Sequence, residues 1–262
     1  MIIGIAQMDI VWEDSKENMN KVETFVKKAS ENKAELILFP EMTLTGFTMD
    51  VQKLFLLEEE IISWVKNVAI HNNINIGLGF AIKVDEKGEN KYVFVSNEGE
   101  VLVNYTKMHP FSYGGEADKY YSGKEICICK INEFKIAPFI CYDLRFPEIF
   151  QTASKEAQII TVAASWPKKR EEHWITLLKA RAIENQCYVI GINRVGLGDG
   201  LEYNGASIFV SPNGEILNEI NSNEMLIINN LEMGKIREVK GRFDIKKDRR
   251  EELYKSYSKD NK

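Results

Sequence analysis

The chain has 262 residues, of which 44% are hydrophobic, enough for one sizeable core at the upper end of single-domain length. Its 34 basic and 39 acidic residues give a net charge of −5, which disfavours nucleic acid as the main partner. No apolar run approaches the roughly 20 residues that a membrane-spanning helix needs, so we expect no membrane partner.

The N-terminal residues lack the charged stretch of a secretory signal, because Met1 leads directly into an apolar run. Together with four cysteines, this predicts free thiols and a cytoplasmic location. Cys127 and Cys129 alternate with apolar residues, which predicts a strand that carries both as packing residues. The three histidines are scattered singly, so we expect no metal site. Two short basic clusters, 168–170 and 246–250, are expected to be solvated surface.

Strand-like and helical patterns alternate along the first part of the chain. Residues 2–8 and 35–39 read as buried strands, the second ended by Pro40, and residues 74–82 as another strand. A long helix is expected over 54–70. An earlier helix begins after a capping-box-like pair, Asp14 and Glu17, and its apolar face comprises Met19, Val22, Phe25, Val26 and Ala29. This alternation predicts an α/β protein with some parallel pairing.

Two predicted hairpins have similar sequences. Residues 94–102 (FVSNEGEVL) and 209–217 (FVSPNGEIL) match at most of their nine positions, and each has a glycine-containing turn between two apolar runs. The similarity supports two related halves, each with a sheet and flanking helices. Because no linker rich in Pro, Gly or Ser separates them, we expect both sheets to pack within one domain.

Three reactive side chains follow predicted strands. Glu41 comes after 35–39, Lys107 after 101–105 and Cys141 after 135–140. Ligands gather beyond the carboxyl ends of strands in open α/β sheets, so the three side chains could meet in one pocket. Each also has an ordinary interpretation: Glu41 as a surface residue at a strand end, Lys107 as a charged residue that protects a sheet edge, and Cys141 as a small buried hydrophobe.

The surroundings of Cys141 predict a strand, a turn and a helix, with Pro147 suited to the first helical position. Such a turn can present a nucleophile above a sheet. A thiol with an ordinary pKa of about 8.5 needs a base or a positive charge to react at neutral pH, and His109 is the one histidine candidate. A carboxylate and an ammonium group could replace it, the first as base and the second as oxyanion stabiliser.

Residues near Cys141 are further candidates. The Tyr142 backbone N–H could be a second oxyanion donor. Arg145 could bind a substrate carboxylate through its planar donor fork or form an ion pair with Glu148. Trp166 follows a predicted strand over 159–164 and could be a pocket wall or part of the core.

Three segments resemble the signatures of the nitrilase superfamily of carbon-nitrogen hydrolases, in the same order: 39–42 (FPEM), 107–111 (KMHPF) and 141–148 (CYDLRFPE). The resemblance covers nearly the whole chain and implies a four-layer α-β-β-α sandwich with two packed mixed sheets and internal pseudo-symmetry. It implies one carbon-nitrogen hydrolase domain over 1–262, whose tail from about 240 is extended or in the contacts of a homodimer.

By this resemblance Glu41 is the general base, Lys107 the oxyanion stabiliser and Cys141 the nucleophile. Glu116 in the loop GGEAD is implied as a second catalytic glutamate, although a solvated loop carboxylate is the alternative. The resemblance is greatest to the omega-amidase-like branch, which implies release of ammonia from a dicarboxylic acid monoamide, without a cofactor. The alternatives are an N-carbamoyl amino-acid or carbamoyl-amine hydrolase, a true nitrilase, and a non-catalytic binding protein with this fold.

Overall fold

Two βαβαβ units form the framework of the protein in a computed structural model that describes residues 1–259. The elements of the first half are β1 (Ile2–Gln7), α1 (Ser15–Glu31), β2 (Leu36–Leu38), α2 (Glu58–Asn72), β3 (Asn75–Val84), β4 (Lys87–Val95), β5 (Val101–Thr106), α3 (Glu116–Lys119) and β6 (Tyr120–Tyr121). Strands β1, β2 and β3 are mutually parallel neighbours, with α1 and α2 as their crossovers.

The second half repeats this plan. Its elements are β7 (Cys129–Ile131), β8 (Phe134–Ile140), α4 (Pro147–Ala153), β9 (Ile159–Ala164), α5 (Glu171–Asn185), β10 (Tyr188–Asn193), β11 (Val195–Gly198), β12 (Leu201–Asn204), β13 (Ile208–Val210), β14 (Met225–Asn230), α6 (Met233–Arg242) and α7 (Glu251–Lys259). Strands β8, β9 and β10 are parallel, with α4 and α5 as crossovers.

The two sheets share an arrangement of three parallel strands between antiparallel ones. The first sheet has the order β14-β1-β2-β3-β4-β5, with β6 beside β4, and the second has the order β13-β10-β9-β8-β7. In the first sheet β4 pairs antiparallel with β3, and in the second sheet β13 pairs antiparallel with β10. Thus β4 and β13 occupy equivalent positions beside the third parallel strand. The two segments of similar sequence, 94–102 and 209–217, begin in the last two residues of these equivalent strands. Both segments make the same turn, in which the Ser96 and Ser211 backbone N–H groups donate to the Glu100 and Glu215 carbonyls. Residues 94–102 continue into β5, whereas the pairing of 209–217 is limited to the bridge between Val210 and Ile216.

Alternating side chains on the strands separate the layers of the sandwich. In β2, Leu36 and Leu38 belong to the apolar cluster shared with the second sheet. Ile37 and Phe39 belong to the cluster that includes α1 and α2. On the other side, Gly191 of β10 lies directly against Trp174 and Leu178 of α5. Helices therefore cover the outer faces of two packed mixed sheets, as the resemblance implies.

Local boundaries follow from capping. The Asp14 side chain accepts a hydrogen bond from the Glu17 backbone N–H, which begins α1 as predicted. The predicted start of α2 at 54 is wrong. Residues 51–53 form a 3₁₀ turn, and the helix starts only at Glu58, because Glu60 accepts a hydrogen bond from the Leu57 backbone N–H.

The C-terminal segment lies against α4 and the end of α5. Lys246 donates a 2.6 Å hydrogen bond to the Ser154 carbonyl, and Arg249 donates one to Gln151. Contacts of this segment with a second copy remain a prediction. No helix within residues 1–259 is both long and apolar enough to cross a membrane.

Candidate active site

Glu41 is fully buried three residues beyond the end of β2 at Leu38, after Phe39 and Pro40. Gly79 of β3 makes this position possible, because a Cβ there would lie 2.2 Å from the Pro40 carbonyl oxygen. The Glu41 Oε1 accepts 2.8 Å hydrogen bonds from Lys107 Nζ and Asn90 Nδ2. Its Oε2 accepts one of 2.8 Å from the Ser165 backbone N–H. The solvent-exposed interpretation of Glu41 is therefore wrong.

Lys107 is also fully buried, at the end of β5. Its Nζ lies 2.8 Å from Glu41 Oε1 and 2.7 Å from Glu116 Oε2. Burial alone would lower the pKa of Lys107, but Glu116 and Glu41 outweigh burial and raise it. Lys107 is consequently a permanent cation between two carboxylates rather than a charge that protects a sheet edge.

Glu116 begins α3 and is fully buried, so its interpretation as a solvated carboxylate is wrong. Gly115 supplies the left-handed backbone, with φ of 78°, that turns the chain into α3. Glu116 Oε2 accepts a 2.6 Å hydrogen bond from the Phe111 backbone N–H, and Oε1 accepts one from Asn90. Burial raises the pKa of Glu116, Lys107 opposes this effect, and Glu41 adds to it.

Cys141 follows β8 and starts a 3₁₀ turn over Cys141–Arg145, after which Pro147 begins α4 as predicted. Its φ of 43° is unusual for a side chain with a Cβ and marks the sharp turn that carries the thiol. Burial raises the pKa of the Cys141 thiol well above its ordinary value. Glu41 and Glu116 raise this pKa further, while Lys107 and the Ser165 backbone lower it. These surroundings favour the protonated thiol over the thiolate.

Asp143 fixes the turn that follows Cys141. Its buried carboxylate accepts hydrogen bonds from the Tyr105 hydroxyl at 2.7 Å and the Ile140 backbone N–H at 2.9 Å. The other oxygen accepts one from the His109 backbone at 3.0 Å and lies 2.8 Å from the His109 Nδ1. His109 therefore pairs with Asp143, not with the thiol.

A small pocket opens beside Cys141. Its walls include Phe47, Phe111, Tyr142, Trp166, Leu201 and Tyr203. Cys141 and Ser165 line it as well, and so do Arg145 and Arg170. The buried cluster of Glu41, Lys107 and Glu116 adjoins this pocket, because Lys107 Nζ lies 5.3 Å from the centre of the Phe47 ring.

Two aromatic residues fix the shape of the pocket. The Tyr142 ring packs against Phe111, with 4.9 Å between ring centres, and its backbone N–H lies in the first turn of a 3₁₀ helix, where such groups lack intrahelical partners. Trp166 is both core and pocket wall, at 3% exposure. Its backbone N–H donates to Asn193, and its indole N–H donates to the Arg170 carbonyl.

Arg145 lies on the pocket wall with its guanidinium 4.8 Å from the centre of the Trp166 ring. It lies 3.4 Å from the His173 ring nitrogen and, among the residues the structure describes, forms no ion pair with Glu148. The alternative interpretation of Arg145, an ion pair with Glu148, is therefore wrong.

The sequence interpretation missed two residues of this region. Asn90 bridges both buried carboxylates, yet it is one polar residue in a strand and carries no distinctive signal. Arg170 lies on the pocket wall, although its basic cluster was expected to be solvated surface. For Lys168 and Lys169 that expectation is confirmed, since both are exposed. Within residues 1–259 no group of His, Cys, Asp or Glu side chains is arranged to hold a metal ion.

The fold and this site define the chain as a member of the carbon-nitrogen hydrolase family, whose profile matches residues 2–241. It is an enzyme that acts on amides. An omega-amidase of Yersinia enterocolitica, YafV, is 35% identical over 215 residues, covering 82% of each chain. A 2-oxoglutaramate amidase of Bacillus subtilis is 32% identical over 258 residues, covering 96% of this chain and 98% of the relative.

Among solved structures, a CN-hydrolase superfamily protein of Xanthomonas campestris superimposes with a TM-score of 0.87 at 26% identity, over 93% of this chain and 94% of the other. That crystal structure has an arsenic adduct in its active site. The predicted family resemblance and the fold are confirmed.

Proposed function

We propose that the protein is an omega-amidase-type enzyme, which hydrolyses the terminal amide of a small dicarboxylic acid monoamide and releases ammonia. The observation that carries this proposal is the buried hydrogen-bonded cluster of Glu41, Lys107 and Glu116 beside the Cys141 turn. A base, a fixed cation and a thiol are the groups that acyl transfer from an amide requires.

In the first stage, the Cys141 sulfur attacks the amide carbonyl carbon while its proton passes to Glu41. Burial and the two glutamates raise the pKa of the Cys141 thiol, which favours transfer of its proton to Glu41 in step with the attack. Lys107 Nζ and the Tyr142 backbone N–H stabilise the oxyanion. Glu41 returns the proton to the amide nitrogen, the carbon–nitrogen bond breaks, and ammonia leaves a thioester on Cys141.

In the second stage, water attacks the thioester carbonyl and gives its proton to Glu41. The carbon–sulfur bond breaks, the acid product leaves, and the thiol recovers its proton. Glu116 keeps Lys107 in position through hydrogen bonds of 2.7 and 3.0 Å and shares the buried charge with Glu41. All steps use the chain's own groups, so we propose no cofactor and no metal.

The substrate class is proposed from a cation on the pocket wall. Arg145 lies on the wall with its guanidinium against Trp166, where it can meet a carboxylate through two donors. The similarity to an omega-amidase and to a 2-oxoglutaramate amidase supports the same class. A monoamide with four or five carbons, including a 2-oxo form, places an amide and a carboxylate at its two ends.

The enzyme is also proposed to be a cytoplasmic homodimer with a small-molecule substrate and no nucleic-acid partner. The net charge of −5 supports the last point. Exposed Phe243 and Tyr257 in the C-terminal segment, at 70% and 66% exposure, are candidates for the contact between subunits. Sedimentation of the parent protein tests this assembly.

The activity is tested by comparing kcat/KM for succinamate, a neutral amide of equal length and a carbamoyl amino acid. We expect succinamate to be preferred, and a thioester adduct to appear on Cys141 in the intact mass during turnover. A neutral amide that matches succinamate contradicts acid recognition. A carbamoyl compound that surpasses both would assign the enzyme to the carbamoyl hydrolases.

A further inference from the structure

Arg170 lies on the pocket wall, whereas the sequence predicts that it belongs to a solvated surface. It ends the 3₁₀ turn Lys168–Arg170, which follows Trp166 and Pro167 directly. Its carbonyl accepts a 2.8 Å hydrogen bond from the Trp166 indole N–H, so its backbone is tied to the wall. Its guanidinium lies 5.6 Å from the centre of the Phe111 ring, which lines the same pocket.

Both pocket arginines are held by aromatic rings rather than by acids. Arg145 lies over Trp166 and Arg170 over Phe111, contacts that orient a guanidinium without neutralising its charge. Within residues 1–259 neither arginine forms an ion pair with a carboxylate. The adjacent Lys168, by contrast, pairs with Glu202 at 2.7 Å. Two unneutralised donor forks thus line one pocket.

The reacting end of the site has the opposite charge. Two buried carboxylates, Glu41 and Glu116, surround one ammonium group, Lys107. A substrate that carries a carboxylate approaches this excess of negative charge, and in a partly desolvated pocket the repulsion is strong. A second guanidinium at the distal end of the substrate would offset this repulsion further than Arg145 does alone.

We infer that Arg170 is a specificity-determining residue, which binds the distal carboxylate of the substrate together with Arg145. This inference rests on the proposed omega-amidase activity and adds the second cation to it. Two guanidinium groups can share the oxygens of one carboxylate, or of a carboxylate with an adjacent 2-oxo group, through charge-assisted hydrogen bonds. A methyl group in place of the carboxylate leaves both forks without a partner.

The test compares glutaramate with pentanamide, which has a methyl group where glutaramate has its carboxylate. Arg170→Gln should lower kcat/KM for glutaramate by about tenfold or more, chiefly through KM, and for pentanamide by less than about twofold. Arg170→Lys should fall between the parent and Arg170→Gln, because the charge stays and the fork is lost. Lys169→Gln is the matched control, because it removes one charge from the same turn at an exposed residue outside the pocket wall. It should leave kcat/KM unchanged for both substrates.

Inhibition by glutarate gives a readout that does not depend on turnover. Its inhibition constant should rise about tenfold in Arg170→Gln and stay unchanged in Lys169→Gln. If the parent prefers glutaramate but Arg170→Gln leaves the preference and the glutarate inhibition intact, the role of Arg170 is wrong and the proposed function stands. An equal loss for both substrates would make Arg170 a structural residue. A parent that does not prefer glutaramate contradicts the proposed function and the inference together.

Discussion

The Tyr105 hydroxyl donates a 2.7 Å hydrogen bond to the buried carboxylate of Asp143. Tyr105 lies on β5, two residues before Lys107, and Asp143 lies two residues after Cys141. The bond therefore joins the strand that presents the cation to the turn that presents the thiol. Small displacements of reacting groups are costly in catalysis, so this link should affect rate as well as stability.

Tyr105→Phe should lower the free energy of unfolding by about 1.5–3 kcal/mol, because a hydrogen bond to a buried charged group is lost. It should also lower kcat several-fold with little change in KM. Tyr188→Phe is the control. Tyr188 is the first residue of β10, and its partly buried hydroxyl donates to the Glu232 carbonyl. Thermal melts of both variants measure the loss of stability, and steady-state kinetics measure the change in kcat. Equal kcat in the two variants would mean that the link is only structural.

Cys141→Ala should abolish hydrolysis and leave the fold intact, because Cys141 is the only side chain that attacks the amide in the proposed reaction. The loss should be complete within the detection limit, with an unchanged circular dichroism spectrum. Cys127→Ala is the control: this thiol packs against the core two residues before β7 begins and should be dispensable. Ammonia release that persists at a substantial fraction of the parent rate would refute the cysteine mechanism.

The pH dependence of the Cys141 thiol follows from its surroundings. Burial and the two glutamates raise its pKa, so the protonated form dominates at neutral pH, and thiolate absorbance should stay flat between about pH 6 and 8. Glu41→Gln removes a negative charge that raises this pKa, so the thiolate should appear at lower pH than in the parent. The variant would then hold a more acidic thiol yet turn over at least about a hundredfold more slowly.

Ultraviolet titration of each protein, with the matching Cys141→Ala protein subtracted, isolates this one thiol from the tyrosines and the other cysteines. A thiolate already present in the parent at neutral pH would replace general-base catalysis with a preformed ion pair. A thiol pKa that rises in Glu41→Gln would show that the carboxylate stabilises the thiolate through another group.

The positions of Glu41, Lys107 and Cys141 beyond strand ends are readable in the sequence because each follows a recognisable strand pattern. Buried LIL precedes Glu41, alternating VLVNYT precedes Lys107, and the mostly apolar FKIAPFI precedes Cys141. The contacts of Asn90 are not readable in this way. They depend on the register of β4 and β5, through which the Asn90 carbonyl accepts the Lys107 backbone N–H, and on the separate arrival of Glu41 and Glu116 at one amide.

The same limit applies to other parts of the chain. The basic cluster at 168–170 has the composition of a solvated turn. Tertiary contacts place Arg170 on a pocket wall, since its carbonyl accepts the Trp166 indole N–H and its guanidinium lies over Phe111. The similarity of 94–102 and 209–217 correctly indicates equivalent positions in two related sheets. It does not predict that the second segment forms a single bridge, since that depends on how the following residues pack.

Lys107→Met tests whether charge at the centre of the cluster serves the reaction. Removal of the ammonium leaves Glu41 and Glu116 unpaired in a buried site, which should cost about 3–5 kcal/mol of stability unless one carboxyl group takes up a proton. Loss of oxyanion stabilisation should lower kcat by at least about a hundredfold.

Lys91→Met is the matched control, because Lys91 is also largely buried and pairs with two glutamates, Glu58 at 3.1 Å and Glu89 at 3.2 Å, outside the pocket. It should lose stability and keep a kcat close to that of the parent. Single-turnover kinetics below the melting temperature of each variant separate the two effects, and a mild loss of the chemical step in Lys107→Met would assign Lys107 to structure alone.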